Sequence, residues 1–357
     1  MNNETRKETQ VLPKDVRYVG ADDLTLPLFE NQYPVQPMGV SYNSYLILDE
    51  KIAVMDSVDA RAADEWLAKL AHELDGRSPD YLVISHMEPD HSGSILRLAE
   101  KYQEMKLVGN TKTFTMLRQF FGAKAPTDDR LLEVGEGETL PLGAHTLHFM
   151  LAPMVHWPEV MVAYEETEKL LFSADAFGRF GSLGRTANAP WAPQARRYYY
   201  NIVGKYGAQV QALLKKASAL EIKTVCPLHG PVLTGEALGE ALRLYDLWSR
   251  WQSESPDDIL LAHASIHGNT ARAAELFKQK LEAKGARVTL CDLTTTEVSY
   301  AVANAFYCGK LVLACSTYDG GLFPPMEEFL SHLQAKGFRS RTVGLMENGS
   351  WAPIAAK

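Results

Sequence analysis

The chain has 357 residues, 46% of them hydrophobic and 22% charged, which is enough apolar material for more than one domain core. Its net charge of −8 and the lack of any lysine- or arginine-rich run exclude the basic footprint of a nucleic-acid-binding protein. Residues 1–10 are too polar for a signal peptide, and no apolar run reaches the roughly 18 residues that a membrane span requires. We therefore expect a cytoplasmic protein that binds neither nucleic acid nor membrane.

The first two thirds of the chain are predicted to be rich in strands. Short β-branched and aromatic runs bounded by turn residues indicate strands. They lie at residues 40–48, 51–57, 81–85, 106–110, 145–153, 169–175 and 224–230. Apolar residues at helical spacing indicate helices at 62–76, 210–220 and 239–252.

A polar segment containing a proline, SESPDD at 253–258, is the best candidate for a linker. It predicts two domains, 1–254 and 255–357. After it, strand and helix patterns alternate, with strands at 258–265, 286–293, 310–317 and 341–347. This alternation predicts a parallel, doubly wound sheet.

The segment SHMEPDHSG crowds His86, Glu88, Asp90 and His91 between an apolar strand and a helix. Carboxylates this close repel each other unless a positive charge lies between them. Imidazoles and carboxylates assembled without cysteine suit a hard divalent metal ion. The alternative is a solvated charged loop whose histidines are incidental.

Three isolated polar residues follow other apolar runs. His156 stands in MVHWPE, Asp175 ends FSAD, and His229 lies in CPLHG. In a β-sandwich, strand ends converge at one rim, so these side chains are expected to meet the loop that contains His86. Together they favour a metal site over incidental polar residues.

The pattern H-x-E-x-D-H, then H-W-P-E, FSADAFG and LHG, resembles the metallo-β-lactamase-like domain of flavodiiron proteins. The resemblance implies an αββα sandwich that holds two iron ions. It implies that His86, Glu88 and His156 bind one iron, that Asp90, His91 and His229 bind the other, and that Asp175 bridges them. No catalytic residue beyond these ligands is predicted.

Hydrolases of the metallo-β-lactamase fold look similar but have H-x-H-x-D-H, with a histidine where this chain has Glu88. A carboxylate makes the site harder and more anionic, which favours an iron pair over zinc. His72, His145, His148 and His332 lack such a pattern and are interpreted as structural.

The second domain carries three candidate ligand loops at the carboxyl ends of its strands, where doubly wound folds bind ligands. SIHGNT opens a helix and can bind a phosphate at the helix N-terminus. Tyr318 and Trp351, in the other two loops, could flank a planar ring. The predicted cofactor-binding residues are Ser265, His267, Gly268, Asn269, Thr270, Ser316, Thr317, Tyr318, Asp319, Gly320, Gly321, Asn348, Gly349, Ser350 and Trp351.

This half resembles a short-chain flavodoxin, and CSTYDGGLFPPMEEFL resembles its flavodiiron version, which implies FMN as the cofactor. A flavodoxin-like sheet has five strands in the order 2-1-3-4-5, whereas four are predicted here. We therefore expect a truncated flavodoxin-like domain that lacks its last strand and helices.

The combined resemblance implies an oxidoreductase that reduces O2 to water, NO to N2O, or both. Electrons would pass through FMN from a separate rubredoxin-type donor to the irons. The family resemblance also implies a head-to-tail homodimer, or a dimer of dimers, in which the FMN of one subunit lies beside the metals of the other. Two alternatives remain open: a zinc-dependent hydrolase with a flavodoxin-like appendage, and a non-catalytic redox or gas sensor.

Overall fold

A computed structural model describes residues 11–356. The segment in which we predict no signal peptide, residues 1–10, lies outside the described residues, as does Lys357. The chain forms two compact units: residues up to 195 together with 209–243, and residues 196–208 together with 244 onward. The division into domains at residues 254 and 255 stays a prediction.

The first unit contains two six-stranded sheets and two short hairpin-like pairs. Its strands are β1 (Val16–Tyr18), β2 (Ala21–Asp23), β3 (Leu28–Phe29), β4 (Tyr33–Pro34), β5 (Val40–Tyr42), β6 (Tyr45–Ile47), β7 (Ala53–Met55), β8 (Tyr81–Val83), β9 (Lys106–Gly109), β10 (Leu131–Glu133), β11 (Thr139–Pro141), β12 (Thr146–Leu151), β13 (Met161–Glu165), β14 (Leu170–Phe172), β15 (Thr224–Cys226) and β16 (Leu233–Thr234). One sheet has the order β1-β6-β7-β8-β9-β10 and the other β11-β12-β13-β14-β15-β16.

The two sheets share one apolar core. Tyr45, Met55 and Val83 from the first sheet pack in the same cluster as Phe149 and Phe172 from the second, and all five are buried. Alternate strand residues point to one face of a sheet, so the two inward faces bury each other as a sandwich.

The segment 40–48, predicted as one strand, is two strands. Strand β5 pairs with β2 in a small separate sheet, whereas β6 pairs with β1 and β7 in the first large sheet. Between them Asn43 donates hydrogen bonds from Nδ2 to the carbonyls of Pro227 and Gly230, at 2.8 and 2.7 Å. The hydroxyl of Ser44 donates to the carbonyl of Asp56 at 2.8 Å. These buried bonds hold the chain where it leaves one sheet for the other.

The α-helices of residues 11–356 lie between or after the strands of the two units. They are α1 (Ala63–Leu74), α2 (Pro89–Ser92), α3 (Ile95–Lys101), α4 (Thr111–Phe121), α5 (Leu183–Thr186), α6 (Trp191–Tyr198), α7 (Gly207–Ala217), α8 (Gly235–Ser249), α9 (Asn269–Glu282), α10 (Val298–Tyr307) and α11 (Pro324–Ala335). A π-helical turn, Tyr199–Val203, follows α6. Among residues 11–356, no helix combines the length and apolar character needed to cross a bilayer.

The second unit contains a five-stranded sheet that is parallel except for one short strand. Its strands are β17 (Ser255–Ala264), β18 (Val288–Asp292), β19 (Cys308–Tyr318), β20 (Gly321–Leu322) and β21 (Thr342–Asn348). Strand β17 pairs in parallel with β18 and β19, and β19 pairs in parallel with β21. The short β20 pairs antiparallel with β19. The parallel order is therefore β18-β17-β19-β21, which is the first four strands of the 2-1-3-4-5 arrangement.

Strand β21 is an edge strand within the described residues, where its partner is β19. Val343 and Leu345 on it are exposed. Apolar side chains on an open edge invite further strand pairing. Residues 11–356 do not contain the fifth strand of the 2-1-3-4-5 arrangement.

Candidate metal centre and cofactor loops

The predicted metal ligands lie just beyond strand ends at one rim of the sandwich. His86, Asp175 and His229 each follow the last residue of a strand, β8, β14 and β15 respectively, by three positions. Strands β12, β14 and β15 run in the same direction in the second sheet, so His156, after β12, lies at the same edge. This placement explains how residues spread over the sequence come together.

Local structure fixes the loop that carries four of the candidates. Glu88 is the extended N-cap of α2, and Pro89 occupies its first position, where the fixed φ of proline favours a helix start. Asp90 and His91 therefore project from the first helical turn. The hydroxyl of Ser92 donates to the carbonyl of Met87 at 2.8 Å, which holds the loop against the helix.

Four of the predicted ligands form one group: His86, Glu88, His156 and Asp175. Nε2 of His86 lies 3.3 Å from Oε2 of Glu88, and Nε2 of His156 lies 3.2 Å from the same oxygen. Oδ2 of Asp175 lies 3.4 and 3.1 Å from these two nitrogens. The ligand-type atoms of all four residues thus converge on one point.

The other three predicted ligands, Asp90, His91 and His229, form a second group. Oδ2 of Asp90 lies 3.3 Å from Nε2 of His91 and 3.2 Å from Nε2 of His229. The two histidine nitrogens lie 3.0 Å apart. All three side chains are buried or nearly so.

Asp175 stands between the groups with one oxygen toward each. Oδ2 faces His86 and His156, whereas Oδ1 lies 3.4 Å from Nε2 of His91 and 3.6 Å from Nε2 of His229. A carboxylate in this position can bridge two metal ions. The ligand and bridging roles themselves stay predictions.

The electrostatics of the site call for positive charge. Burial lowers the pKa of His86, but the carboxylates of Asp175, Glu159 and Glu88 outweigh this and raise that pKa well above its usual value. Burial also lowers the pKa of His156, but the carboxylates of Asp175 and Glu88 outweigh it and raise that pKa to about 9. Burial would raise the pKa of Asp175, yet the surrounding imidazoles hold it well below its usual value. The raised pKa values favour protonated imidazoles, and a bound cation would replace those protons.

The residues present fit a pair of divalent ions. Oδ1 of Asp90 is buried without a hydrogen-bond partner among the described residues, whereas Oδ2 of Asp90 and Oδ1 of Asp175 lie 3.2–3.6 Å from histidine nitrogens without forming a hydrogen bond. Two ligand atoms at right angles, each about 2.1 Å from one ion, are about 3.0 Å apart, close to the 3.0–3.4 Å that separates most neighbouring pairs here. The donor set of nitrogen and oxygen without sulfur suits iron, manganese or zinc rather than copper(I).

The sequence did not predict the hydrogen bonds that two of the histidines make through Nδ1, the ring nitrogen that faces away from the site. Nδ1 of His86 donates to Oε1 of the buried Glu159 at 2.7 Å, and the Met87 amide donates to the same oxygen at 2.9 Å. Nδ1 of His229 donates to the carbonyl of Ser41 at 2.7 Å. Glu159 is the glutamate of H-W-P-E, so its closeness to His156 was an available signal. A backbone acceptor such as the carbonyl of Ser41 gives no signal in the sequence, because every residue has a carbonyl.

Two of the four histidines interpreted as structural have carboxylate partners. Nδ1 of His145 lies 2.8 Å from Asp49, and Nε2 of His148 lies 2.8 Å from Glu166. Each is a single pair, whereas the described residues gather three or more potential ligands at the two groups above. These pairs fit a structural role.

The three predicted cofactor loops lie at the carboxyl ends of neighbouring parallel strands, β17, β19 and β21. They meet at Thr270, whose Oγ1 lies 2.8 Å from Oγ of Ser316 and accepts a hydrogen bond from Nδ2 of Asn348 at 3.2 Å. Thr317 is engaged within its own unit, because its Oγ1 accepts the amides of Ile354 and Ala355.

The loop before α9 has the features of an anion site. Its N-cap, Gly268, has a φ of 83° and gives no side-chain cap, so the first amides of a 14-residue helix stay available. Oγ of Ser265 is buried and has no hydrogen-bond partner among the described residues. His267, Gly268 and Asn269 are exposed and lie around this helix start.

The residues predicted to contact a ring remain open to solvent. Tyr318 and Trp351 are 44% and 82% exposed, which leaves both free to cover a ligand. Asp319 and Gly320 form the tight turn between β19 and β20, with φ values of 47° and 73°, and Gly321 begins β20. A Cβ on Gly349 would lie 3.0 Å from Cα of Pro353, so a larger residue there would require Pro353 to shift, and the exposed Ser350 follows directly. The contacts of these residues with a cofactor stay predictions.

Comparison with known proteins identifies the family. The ODP family of beta-lactamases matches residues 40–230, more than half of the chain and all seven predicted ligands. The chain belongs to this family. Its resemblance to flavodiiron proteins is confirmed by relatives over nearly its whole length.

Two curated relatives illustrate the match. The rubredoxin-oxygen oxidoreductase of Megalodesulfovibrio gigas is 28% identical over 353 residues, which cover 95% of this chain and 85% of that protein. The anaerobic nitric oxide reductase flavorubredoxin of Vibrio vulnificus is 27% identical over 350 residues, 94% of this chain and 69% of that protein.

The fold agrees with solved structures. The flavodiiron protein from Giardia intestinalis superposes with a TM-score of 0.90 at 27% identity, covering 96% of this chain and 84% of that one. The predicted fold class, a metallo-β-lactamase-like sandwich with a flavodoxin-like sheet, is confirmed.

Proposed function

We propose that this protein is a flavodiiron oxidoreductase that reduces O2 to water, NO to N2O, or both. The observation that supports this best is the convergence of seven buried or half-buried ligands in two groups, with one oxygen of Asp175 in each. The names of the relatives, an oxygen oxidoreductase and nitric oxide reductases, point to the same chemistry.

In this proposal each group of side chains holds one iron. His86, Glu88 and His156 hold the first, and Asp90, His91 and His229 the second, while Asp175 fixes the pair. When bound, the irons supply electrons and open coordination positions for the gas. The three ligand carboxylates and Glu159 together offer four negative charges, which match the charge of two divalent ions.

Glu88 favours iron over the zinc of a hydrolase. Its Oε2 lies 3.2–3.3 Å from both histidines of its group, so the carboxylate takes part in the ligand set directly. A hard anionic ligand at this position suits iron, which must be stable in its trivalent state as well. The zinc hydrolase is therefore not favoured, and the names of the relatives, which are reductases, do not favour the non-catalytic sensor.

FMN is the proposed electron relay. The free amides at the start of α9 and the unpartnered hydroxyl of Ser265 offer donors to its phosphate. The exposed rings of Tyr318 and Trp351 can pack on its isoalloxazine ring, since aromatic rings pair favourably in offset-stacked or edge-to-face contacts.

The electron donor is proposed to be a separate rubredoxin-type protein, in line with the name of the M. gigas relative, rubredoxin-oxygen oxidoreductase. We also propose a cytoplasmic location and a head-to-tail homodimer or dimer of dimers that brings each FMN to a partner's irons. Neither nucleic acid nor a membrane is a proposed partner.

Anaerobic purification, followed by quantification of iron and FMN, tests the proposal. The loaded protein is then supplied with NADH, a rubredoxin reductase and rubredoxin, and consumption of O2 and of NO is compared. We expect turnover of at least one gas that is lost when iron is removed. Two bound zinc ions with hydrolase activity, or full cofactor loading without turnover, would refute it.

A further inference from the structure

The two proposed iron sites have ligand sets of the same composition. Each combines two imidazoles, one carboxylate of its own and one oxygen of the shared Asp175. The directly contacting ligands therefore give neither site an extra negative charge. A difference in charge between the two sites must therefore come from the groups behind the ligands.

The groups behind the ligands differ in charge. His86 in the first set donates from Nδ1 to the carboxylate of Glu159 at 2.7 Å. His229 in the second set donates from Nδ1 to a neutral backbone carbonyl, that of Ser41. Nδ1 of His91, also in the second set, is buried and has no hydrogen-bond partner among residues 11–356.

A second buried carboxylate near the site, Asp56, does not produce the same asymmetry. Its Oδ1 accepts the amide of Ser85 at 2.7 Å rather than a ligand ring. Its charge acts on both His91 and His86, which belong to different sets. Among the described residues, Glu159 is thus the carboxylate that accepts a hydrogen bond from the outward nitrogen of a proposed ligand histidine, and it does so in the first set alone.

Glu159 is well placed to act on His86. It is almost fully buried, and its Oε1 accepts both the ring N–H and the amide of Met87, the next residue. The geometry leaves Nε2 of His86 free to face the metal. A carboxylate on the far nitrogen makes an imidazole a stronger donor, and its negative charge favours the more positive state of the ion.

On the basis of the proposed iron pair, we propose that Glu159 is a positioning residue that sets the order in which the two irons are reduced. The iron held by His86, Glu88 and His156 keeps its ferric state while its neighbour takes the first electron. One electron from an external reductant then gives one ferrous iron at the Asp90, His91 and His229 site. The second electron reduces the iron on the Glu159 side.

Stepwise reduction tests this order. Iron-loaded protein is titrated with dithionite in the presence of redox mediators, and the half-reduced pair is followed by its EPR signal. The variants are Glu159→Gln, which removes the charge at nearly constant volume, and Glu159→Asp, which keeps the charge. Asp49→Asn is the matched control, because Asp49 also accepts a hydrogen bond from Nδ1 of a histidine, His145. His145 precedes β12, whereas the proposed ligand His156 follows the end of that strand.

We expect Glu159→Gln to raise the second reduction potential more than the first. The equilibrium constant for forming the half-reduced pair should fall about tenfold, which corresponds to about 59 mV for a one-electron couple. Iron affinity should fall about 10- to 100-fold. Glu159→Asp should recover most of the half-reduced signal, and Asp49→Asn should leave both potentials unchanged.

Three results would overturn this assignment: a larger shift of the first potential, equal shifts of both, or no shift in a variant that still binds two irons. Each of these leaves the iron pair itself intact. Failure of the unaltered protein to bind iron would instead refute the proposed function. Circular dichroism of each variant separates loss of iron from loss of fold.

Discussion

Nε2 of His91 and Nε2 of His229 face each other at 3.0 Å although 138 residues separate them in the chain. Two buried ring nitrogens at this distance can share a proton or bind the same ion. Oδ2 of Asp90 lies beside both, so an ion satisfies all three side chains at once. Substitution of either histidine should therefore reduce the amount of metal that the protein binds.

Replacement of His229 by alanine should remove one iron, whereas replacement of Asp175 by alanine should weaken both sites. The reason is that His229 belongs to one group and Asp175 offers an oxygen to each. Iron per chain, measured on protein purified anaerobically, should fall from about two toward one for His229→Ala and below one for Asp175→Ala. Equal iron content in the two variants would contradict the bridging role.

Iron uptake should strengthen as the pH rises. In the ion-free site the pKa of His156 is raised to about 9, because the nearby Asp175 and Glu88 outweigh the effect of burial. Below that pH the ring carries a proton that iron must displace, so affinity should rise about tenfold per pH unit for each proton released. Anaerobic titration with ferrous iron between pH 6 and 8 measures this, and an affinity independent of pH would contradict it.

Replacement of Ser265 by alanine should weaken FMN binding. Its buried hydroxyl has no partner among the described residues and lies beside the start of α9, where we place the phosphate. Loss of one hydrogen bond to a charged group costs about 1.5–3 kcal/mol, or roughly 10- to 150-fold in Kd.

Fluorescence quenching of FMN on binding measures this Kd. Ser218→Ala, at an exposed serine of the first unit, is the control and should bind FMN normally. Unchanged affinity in Ser265→Ala would place the phosphate elsewhere.

Replacement of Asp49 by asparagine should destabilise the protein without loss of iron. Asp49 accepts the amide and Nδ1 of His145 at 2.7 and 2.8 Å, and the amide of Glu50 at 2.7 Å. Hydrogen bonds to a charged group suggest a loss of about 1–3 kcal/mol in the free energy of unfolding at pH 7. Urea unfolding of the two proteins measures the difference.

The cost of the Asp49 change should depend on pH. Burial raises the pKa of Asp49, but the bonds from His145 and Glu50 outweigh this and lower it to about 2. A lowered folded-state pKa stabilises the protein above the unfolded value of about 4, and this contribution is lost as the pH falls toward 2. The stability difference should therefore shrink below pH 4; a constant difference would show that the charge contributes nothing.

Much of the fold was predictable because local signals agreed with the tertiary structure. The alternation of strands and helices after residue 258 gave the strands of the parallel sheet, which the structure places at β17, β18, β19 and β21. The break between β5 and β6 was missed because Asn43 and Ser44 make bonds to residues distant in sequence, Pro227 and Asp56 among them. No local pattern reports such partners.

The candidate site, like the fold, could be predicted from the sequence only in part. The seven predicted ligands could be found because four crowd one loop after an apolar strand and three are isolated polar residues after other apolar runs, and the structure brings them together. Glu159 was missed since its partner, His86, is 73 residues away. The bond between Nδ1 of His229 and the carbonyl of Ser41 could not be read at all, because any residue supplies a carbonyl.

Anomalous diffraction from crystals of the anaerobically purified protein, collected at the iron and zinc absorption edges, tests the central claim most directly. We expect two iron peaks, one among His86, Glu88 and His156 and one among Asp90, His91 and His229, with Asp175 between them. Peaks that appear only at the zinc edge, or a single peak, would contradict the iron pair.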